Sequence, residues 1–412
     1  MAFIIFFLSL IPILIFYKKN QDFFLISSFY LINWIGSSLS VFLASAFSLD
    51  LVEIGVSAEE SFAPFILNLT IFSTLFISCF FYNVINLYEI KISHRVIKSN
   101  FFNSFDKVTF FGLVIFCLII IVFSFDMGIP LLLGKPISIF LAEANKLEKF
   151  SFAAIAISAL PLSKMAHFYF ISKKINFSLA ILLSLIPALV WALAGEKMGY
   201  MFFILYTSMI PWLGKSLRSV TFYRLFALSV LVVLIGLTFI QFALSSEDAF
   251  EQTILRFAMQ GQLWFYFFKN AADFVSFNDC LAIISGENIH DTIHLMMFEA
   301  MPTGIFQDYV SATMTAGSHF PALLFAFGWY GFPFSIILFS IVFSISLTML
   351  RIANEIDSYL ISFLIVACFV FPGVEVWVSG NISRLINIPM TFKIFYLLLL
   401  LVSLPVLRLV KK

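Results

Sequence analysis

Apolar runs of roughly twenty residues, each bounded by charged or polar residues and repeated along the whole chain, set the terms for this fold. A helix of that length crosses the hydrocarbon of a bilayer at ~1.5 Å per residue, and in lipid the backbone must satisfy its own hydrogen bonds. The runs fall at roughly 2–17, 23–49, 62–88, 108–125, 150–171, 177–194, 199–213, 225–244, 321–350, 358–379 and 388–407. They predict an all-α integral membrane protein, a polytopic bundle of about eleven transmembrane helices in which residues 1–412 form a single membrane domain. The first and seventh runs are short. The ninth is long enough to tilt or break, and Gly331 with Pro333 predicts a kink there.

Composition closes the alternatives. Of 412 residues, 62% are hydrophobic and 11% charged, whereas ordinary globular chains are about a quarter charged. Too little polar surface remains to cover a soluble enzyme, and a disordered chain is excluded for the same reason. With 24 Lys+Arg against 23 Asp+Glu there is no cationic excess, so no nucleic-acid partner is expected. The 56 phenylalanines substitute for Leu and Ile on lipid-facing surface and carry no function by themselves. Cys79, Cys117 and Cys368 lie in apolar segments and Cys280 in a polar loop, a scatter that indicates neither a disulfide framework nor a cysteine metal site.

Charge sets the orientation. With the N-terminus outside, the cytoplasmic segments carry Lys18, Lys19, Lys91, Arg95, Lys98, Lys107, Lys173, Lys174, Lys215, Arg218, Arg224, Arg351, Arg408, Lys411 and Lys412. The opposite side has Lys135, Lys146, Lys149, Lys197, Arg256, Lys269 and Arg384. The excess predicts N-terminus outside, C-terminus inside. The first run lacks a basic n-region and a small-residue cleavage site, so it reads as a retained span.

Two outer loops stand apart. Residues 245–320 form one large periplasmic loop, and a loop of that length within a compact protein is usually functional. In loop 126–149, Ile137, Phe140, Leu141 and Leu147 predict a short amphipathic helix at the interface. The first outer loop holds Asp50, Glu53, Glu59 and Glu60, where a solvated acidic loop is favoured over a divalent-ion site.

Three outer cations, Lys197, Arg256 and Arg384, form a candidate clamp for pyrophosphate, since guanidinium forks match phosphate oxygens and Lys supplies a point charge. The plainer reading has each anchoring its helix at headgroup level or pairing with a nearby acid. On a helix, Gln260 shares the face of Arg256, and with Gln262 it is a candidate ligand for sugar hydroxyls. His319, where the chain re-enters the bilayer, is a candidate general base, set against a histidine merely solvated at the interface. His290 and His294 share a helix face, but no third ligand follows at a metal-site spacing, so no metal is expected. Lys164, His167, Glu375 and Lys393 are ionisable groups in or near spans. Glu355 and Asp357 are the nearest approach to an acidic sugar-nucleotide motif, and they fall on the cytoplasmic side. There is no phosphate-binding glycine loop and no serine-nucleophile elbow.

Together with the spans and the late large loop, several short motifs carry a family likeness. They are Gly128-Ile129-Pro130-Leu131-Leu132, the Gly195-x-Lys197 hairpin, Arg256 after the next outward span, and Gly317-Ser318-His319-Phe320-Pro321 followed by Phe327-Gly328-Trp329-Tyr330-Gly331. The chain resembles the bacterial O-antigen polymerase (Wzy) family, although the arginine-to-glycine loop motif of some members meets Phe267 here. The resemblance implies a GT-C-like fold in the inner membrane and transfer of a growing glycan from undecaprenyl pyrophosphate to a lipid-linked repeat unit on the periplasmic face. It implies Arg256, Lys197 and Arg384 at the leaving group, His319 as base, no nucleotide, metal or other cofactor, and a chain-length regulator and a flippase as partners. An O-antigen ligase shares nearly all these features. A polysaccharide-unit flippase or transporter is a further alternative, but it calls for internal symmetry and midplane polar residues that the sequence lacks.

Overall fold

A computed structural model describes residues 2–51, 54–58, 62–87, 100–128, 143–194, 200–213, 261–270, 277–285, 292–304, 318–356 and 358–384. Every predicted span that falls on these residues is helical: α1 (Ala2–Lys19), α2 (Gln21–Ala46), α3 (Ala63–Leu87), α4 (Asn100–Asp126), α5 (Lys146–Ile171), α6 (Phe177–Leu193), α7 (Tyr200–Leu213), α11 (Phe320–Glu355) and α12 (Tyr359–Ser379). The runs at 225–244 and 388–407 lie outside the described residues. Among the described residues, five helices are long and apolar enough to cross a membrane. Between α7 and α11, the loop contains α8 (Gln262–Asn270), α9 (Phe277–Ser285) and α10 (Thr292–Ala300). A two-residue hairpin, β1 (Asp50–Leu51) with β2 (Val56–Ser57), pairs antiparallel after α2.

Local chemistry sets several boundaries. At α5, the Asn145 side chain accepts from Leu147 N at 2.9 Å and Glu148 N at 3.0 Å, while Glu148 accepts from Asn145 N at 2.7 Å. This reciprocal cap satisfies amide donors that a helix start leaves over. It also corrects the loop reading: Lys146 and Leu147 belong to the membrane helix, and residues 129–142, which carry most of the expected interfacial helix, lie outside the described residues.

The break in α11 is at Gly328, with φ 60° and ψ 178°, and not at Gly331 or Pro333. That conformation is open essentially to glycine alone. Pro333 lies little more than a turn beyond the break, where few preceding carbonyls remain for its ring to disturb. Residues 320–327 thus form a short helix of their own before the long one begins.

The chain makes two compact units, each discontinuous in sequence. The first comprises 1–87, 220–345 and 372–388. In it, small polar residues let helices approach closely and bridge them. Asn68 Nδ2 donates to Ser9 Oγ at 2.7 Å and Asn68 Oδ1 accepts from Ser38, linking α1, α2 and α3. Ser344 Oγ donates to the Ser78 carbonyl at 2.9 Å, and Ser78 Oγ to that of Ser340 at 3.3 Å, joining α11 to α3.

The second unit comprises 88–219, 346–371 and 389–412. Here Lys164 has a structural partner: its ammonium donates to the carbonyl of Ala353 at 2.7 Å and to that of Ile356, so a cation caps the end of α11, where the helix dipole is negative. Trp212 Nε1 bridges Ser163 and Ser184 at 3.0 and 3.1 Å, and its ring meets His167 at 4.9 Å.

Candidate functional site

The large loop is not a solvated strand of polar residues. Leu263, Trp264, Phe265 and Phe267 of α8 are buried, as are Ile293, Met296 and Met297 of α10. Trp264 Nε1 donates to the Ala63 carbonyl at 3.0 Å, fixing α8 to the start of α3. Gly261 lies so close to α2 that a Cβ there would meet the Val41 amide nitrogen at 2.9 Å. Cys280 Sγ donates to the Ala326 carbonyl at 2.7 Å, tying α9 to the short helix 320–327.

His319, which is 0% exposed, immediately precedes that short helix. Its imidazole lies 5.3 Å from Trp34, 4.1 Å from Phe320 and, edge to face at 88°, 5.2 Å from Trp377. Phe343 closes the cluster at 5.2 Å from both tryptophans, and Tyr30 packs on Phe343 at 5.0 Å. Among the described residues, the Tyr30 hydroxyl and Trp377 Nε1 are buried without a hydrogen-bond partner. The Trp377 backbone is near the imidazole, but its carbonyl accepts the Trp34 indole N–H at 2.8 Å.

Trp377 stands on a π-helical turn, Glu375–Ser379, that ends α12. Such turns are frequent at functional positions because they re-aim side chains within a helix. Gly380, at φ 83°, then reverses the chain: its amide bonds the Val376 carbonyl at 3.2 Å, and that of Asn381 bonds the Glu375 carbonyl at 2.9 Å. The reversal brings Arg384 back onto its own helix, where Nε donates to Glu375 Oε2 at 2.9 Å. The two side chains are 46% and 29% exposed, so the pair is worth about 0.2–1 kcal/mol and can be exchanged for another anion. The preceding residue locks the turn to the loop: Ser383 N donates to Thr292 Oγ1 at 3.0 Å and Thr292 N to Ser383 Oγ at 3.4 Å.

The predicted residues therefore separate. His319 is sealed in the aromatic cluster, Gln262 is buried on α8 at 2% exposure, and Arg384 is half-exposed and paired. Lys197, Arg256 and Gln260 lie outside the described residues, as do Glu53, Glu59, Glu60, His290 and Lys393. Among the described residues, no three His, Cys, Asp or Glu side chains are grouped to hold a metal. Sequence reading had not joined Glu375 to Arg384, nor Trp34 and Trp377 to His319. For the first pair, Gly380-Asn381 was a usable signal, since glycine at a helix C-terminus reverses the chain. No family model, curated protein or solved structure matches the chain.

Proposed function

We propose that this protein is a lipid-linked oligosaccharide glycosyltransferase of the bacterial inner membrane, an O-antigen repeat-unit polymerase with its N-terminus and large loop on the periplasmic side. The observation carrying this reading is the half-exposed guanidinium of Arg384, held by a rigid helix-ending turn, pinned to the large loop through Ser383 and Thr292, and balanced by a displaceable carboxylate. A planar cation presented in this way suits the oxygens of a pyrophosphate. The family resemblance supplies the substrate class.

In this reading an acceptor sugar hydroxyl attacks the anomeric carbon of the growing glycan. The bond from that carbon to the undecaprenyl pyrophosphate breaks, and the pyrophosphate leaves with the bonding pair. Arg384, with Arg256 and Lys197, stabilises that charge. The hydroxyl proton passes to His319 once the aromatic cluster has opened to substrate. A chain-length regulator and a flippase are the expected partners.

The test is the lipopolysaccharide ladder of a deletion strain. A single repeat unit on core, restored to a ladder by the wild-type gene, supports the polymerase. Bare core points to a ligase or flippase instead. Complementation with Arg384→Ala, at wild-type protein level, should lower polymer formation by about a hundred- to a thousandfold. A full ladder from that variant would leave Arg384 as a surface ion pair only.

A further inference from the structure

We infer that a water-filled recess on the large-loop side of the first unit leads down to the Arg384–Glu375 pair at the mid-depth of the helices, and that it admits a phosphate-bearing group to that level. The identity of the group rests on the proposed function, but the depth and the water do not.

Contacts within the unit fix the level of the pair. Trp34 stands at the middle of α2 (Gln21–Ala46), twelve residues or about 18 Å from its end at Ala46. Its indole bonds the Trp377 carbonyl at 2.8 Å, so the last turn of α12 lies beside the middle of α2. The long part of α11 gives the same level independently. The Trp377 ring is 5.8 Å from Phe339 and 5.2 Å from Phe343, eleven and fifteen residues past the break at Gly328. Ser340 and Ser344 of that stretch are in turn bonded to Ser78, near the middle of α3 (Ala63–Leu87). Glu375 precedes Trp377 by two residues, and Arg384 Nε is bonded to its carboxylate at 2.9 Å. The ion pair therefore sits about halfway down the helices and not at headgroup level.

A charged pair at that depth is strongly disfavoured against hydrocarbon. Its surroundings show where the exposure leads. Within residues 372–384 Arg384 alone is exposed, while Asn381, Ile382 and Ser383 before it are buried. The surface that α11 turns outward is apolar instead, with Phe334, Ile337 and Leu338 exposed. A guanidinium 46% exposed amid buried neighbours at mid-depth thus faces water. Irregular backbone at membrane depth is tolerated where it is buried in protein or lines such water, which is the setting of the Gly380 reversal. The opening follows from the early end of α12, which stops about 15 Å below the level of Ala46. The large loop descends into the space above: Thr292 of α10 bonds Ser383 at that floor, and Cys280 of α9 bonds Ala326 of helix 320–327. That helix dips as well, since His319 and Phe320 lie 5.3 and 5.4 Å from Trp34.

Thiol chemistry on the full chain in nanodiscs, where both faces are open, reads depth and water together. The four native cysteines are buried, so wild type supplies the blank. Arg384→Cys, and Ser379→Cys on the last turn of α12, should react with a small charged methanethiosulfonate. A bulky charged one should react about tenfold more slowly, ~1.4 kcal/mol of added barrier, whereas exposed Lys269→Cys should accept both alike. Phe334→Cys, facing lipid, should stay unreactive. Millimolar inorganic pyrophosphate should slow Ser379→Cys severalfold and have no effect once Arg384→Ala is added. Equal rates with both reagents would put the pair at the surface, and no reaction with either would put it in lipid or sealed protein; each result overturns the recess. Either position decides alone if the other variant fails to fold. Absent protection by pyrophosphate, or protection that survives Arg384→Ala, overturns the admission of a phosphate-bearing group. A protected recess in a protein whose deletion leaves the ladder intact keeps the site and loses the polymerase reading. A deletion strain with one repeat on core, beside an unreactive Ser379→Cys, does the reverse.

Discussion

The indole Nε1 of Trp34 donates to the carbonyl of Trp377 at 2.8 Å, joining the middle of α2 to the π-helical end of α12 across 343 positions of sequence. That carbonyl lies in the last turn of its helix, where intrahelical donors run out, so the tryptophan satisfies a group the helix cannot. Trp34→Phe keeps most of the apolar bulk and strands the carbonyl. A loss of about 1–3 kcal/mol is expected, read as a lower thermal midpoint in detergent. An unchanged midpoint for Trp34→Phe would mean the bond contributes nothing.

Gly328 should tolerate no side chain. At φ 60° and ψ 178° an alanine is strained by about 1–3 kcal/mol, whatever space surrounds it. Gly328→Ala should lower the yield of folded protein and displace helix 320–327, which His319 precedes. Gly331→Ala is the control: its Cβ would meet the Phe327 Cβ at 3.1 Å, a tight contact without backbone strain. Equal midpoints for the two variants would remove the special role of Gly328.

The difference between these glycines also shows what the sequence disclosed. Apolar run length located the helices among the described residues, five of them long enough to cross a membrane, because a helix in lipid has to be long and uncharged whatever its neighbours are. It did not locate the break, because Gly331 and Pro333 look more disruptive than Gly328 until the required φ is known. The large loop looks polar by composition, yet Trp264 with Phe267 and Ile293 with Met296 and Met297 sit at helical spacings. His319 was legible as unusual and its surroundings were not. Its ring partners Trp34 and Trp377 come from distant helices, and no local pattern announces a tertiary contact. Arg384 was legible as a cation, while its partner Glu375 required the Gly380 reversal.

Orientation is open to a direct check. Fusions of alkaline phosphatase at residue 280 should be active, and fusions at 98 and 412 inactive, if the excess of Lys and Arg sets the topology. An inactive fusion at 280 would turn the Arg384 turn and α8–α10 toward the cytoplasm and remove the proposed reaction from the compartment where its substrate lies.

Glu375 should act as an internal competitor for whatever anion Arg384 binds. The carboxylate holds Nε at 2.9 Å, yet both side chains keep substantial contact with solvent, at 46% and 29% exposure. Screening limits the pair to about 0.2–1 kcal/mol, so Glu375→Gln should strengthen binding of inorganic pyrophosphate by only about 1.5- to 5-fold. The gain should shrink at high salt, where both the pair and the phosphate contact are screened. Arg384→Lys keeps the charge and loses the planar fork, so it should bind more weakly than wild type, and Arg384→Ala should bind weakest. Calorimetric titration at low and high salt separates the cases. Weaker binding in Glu375→Gln would mean that the carboxylate positions the guanidinium instead of competing for it. Identical affinities in wild type, Glu375→Gln and Arg384→Ala would show that Arg384 binds no phosphate at all, and the pair would then serve only to close the turn at Gly380.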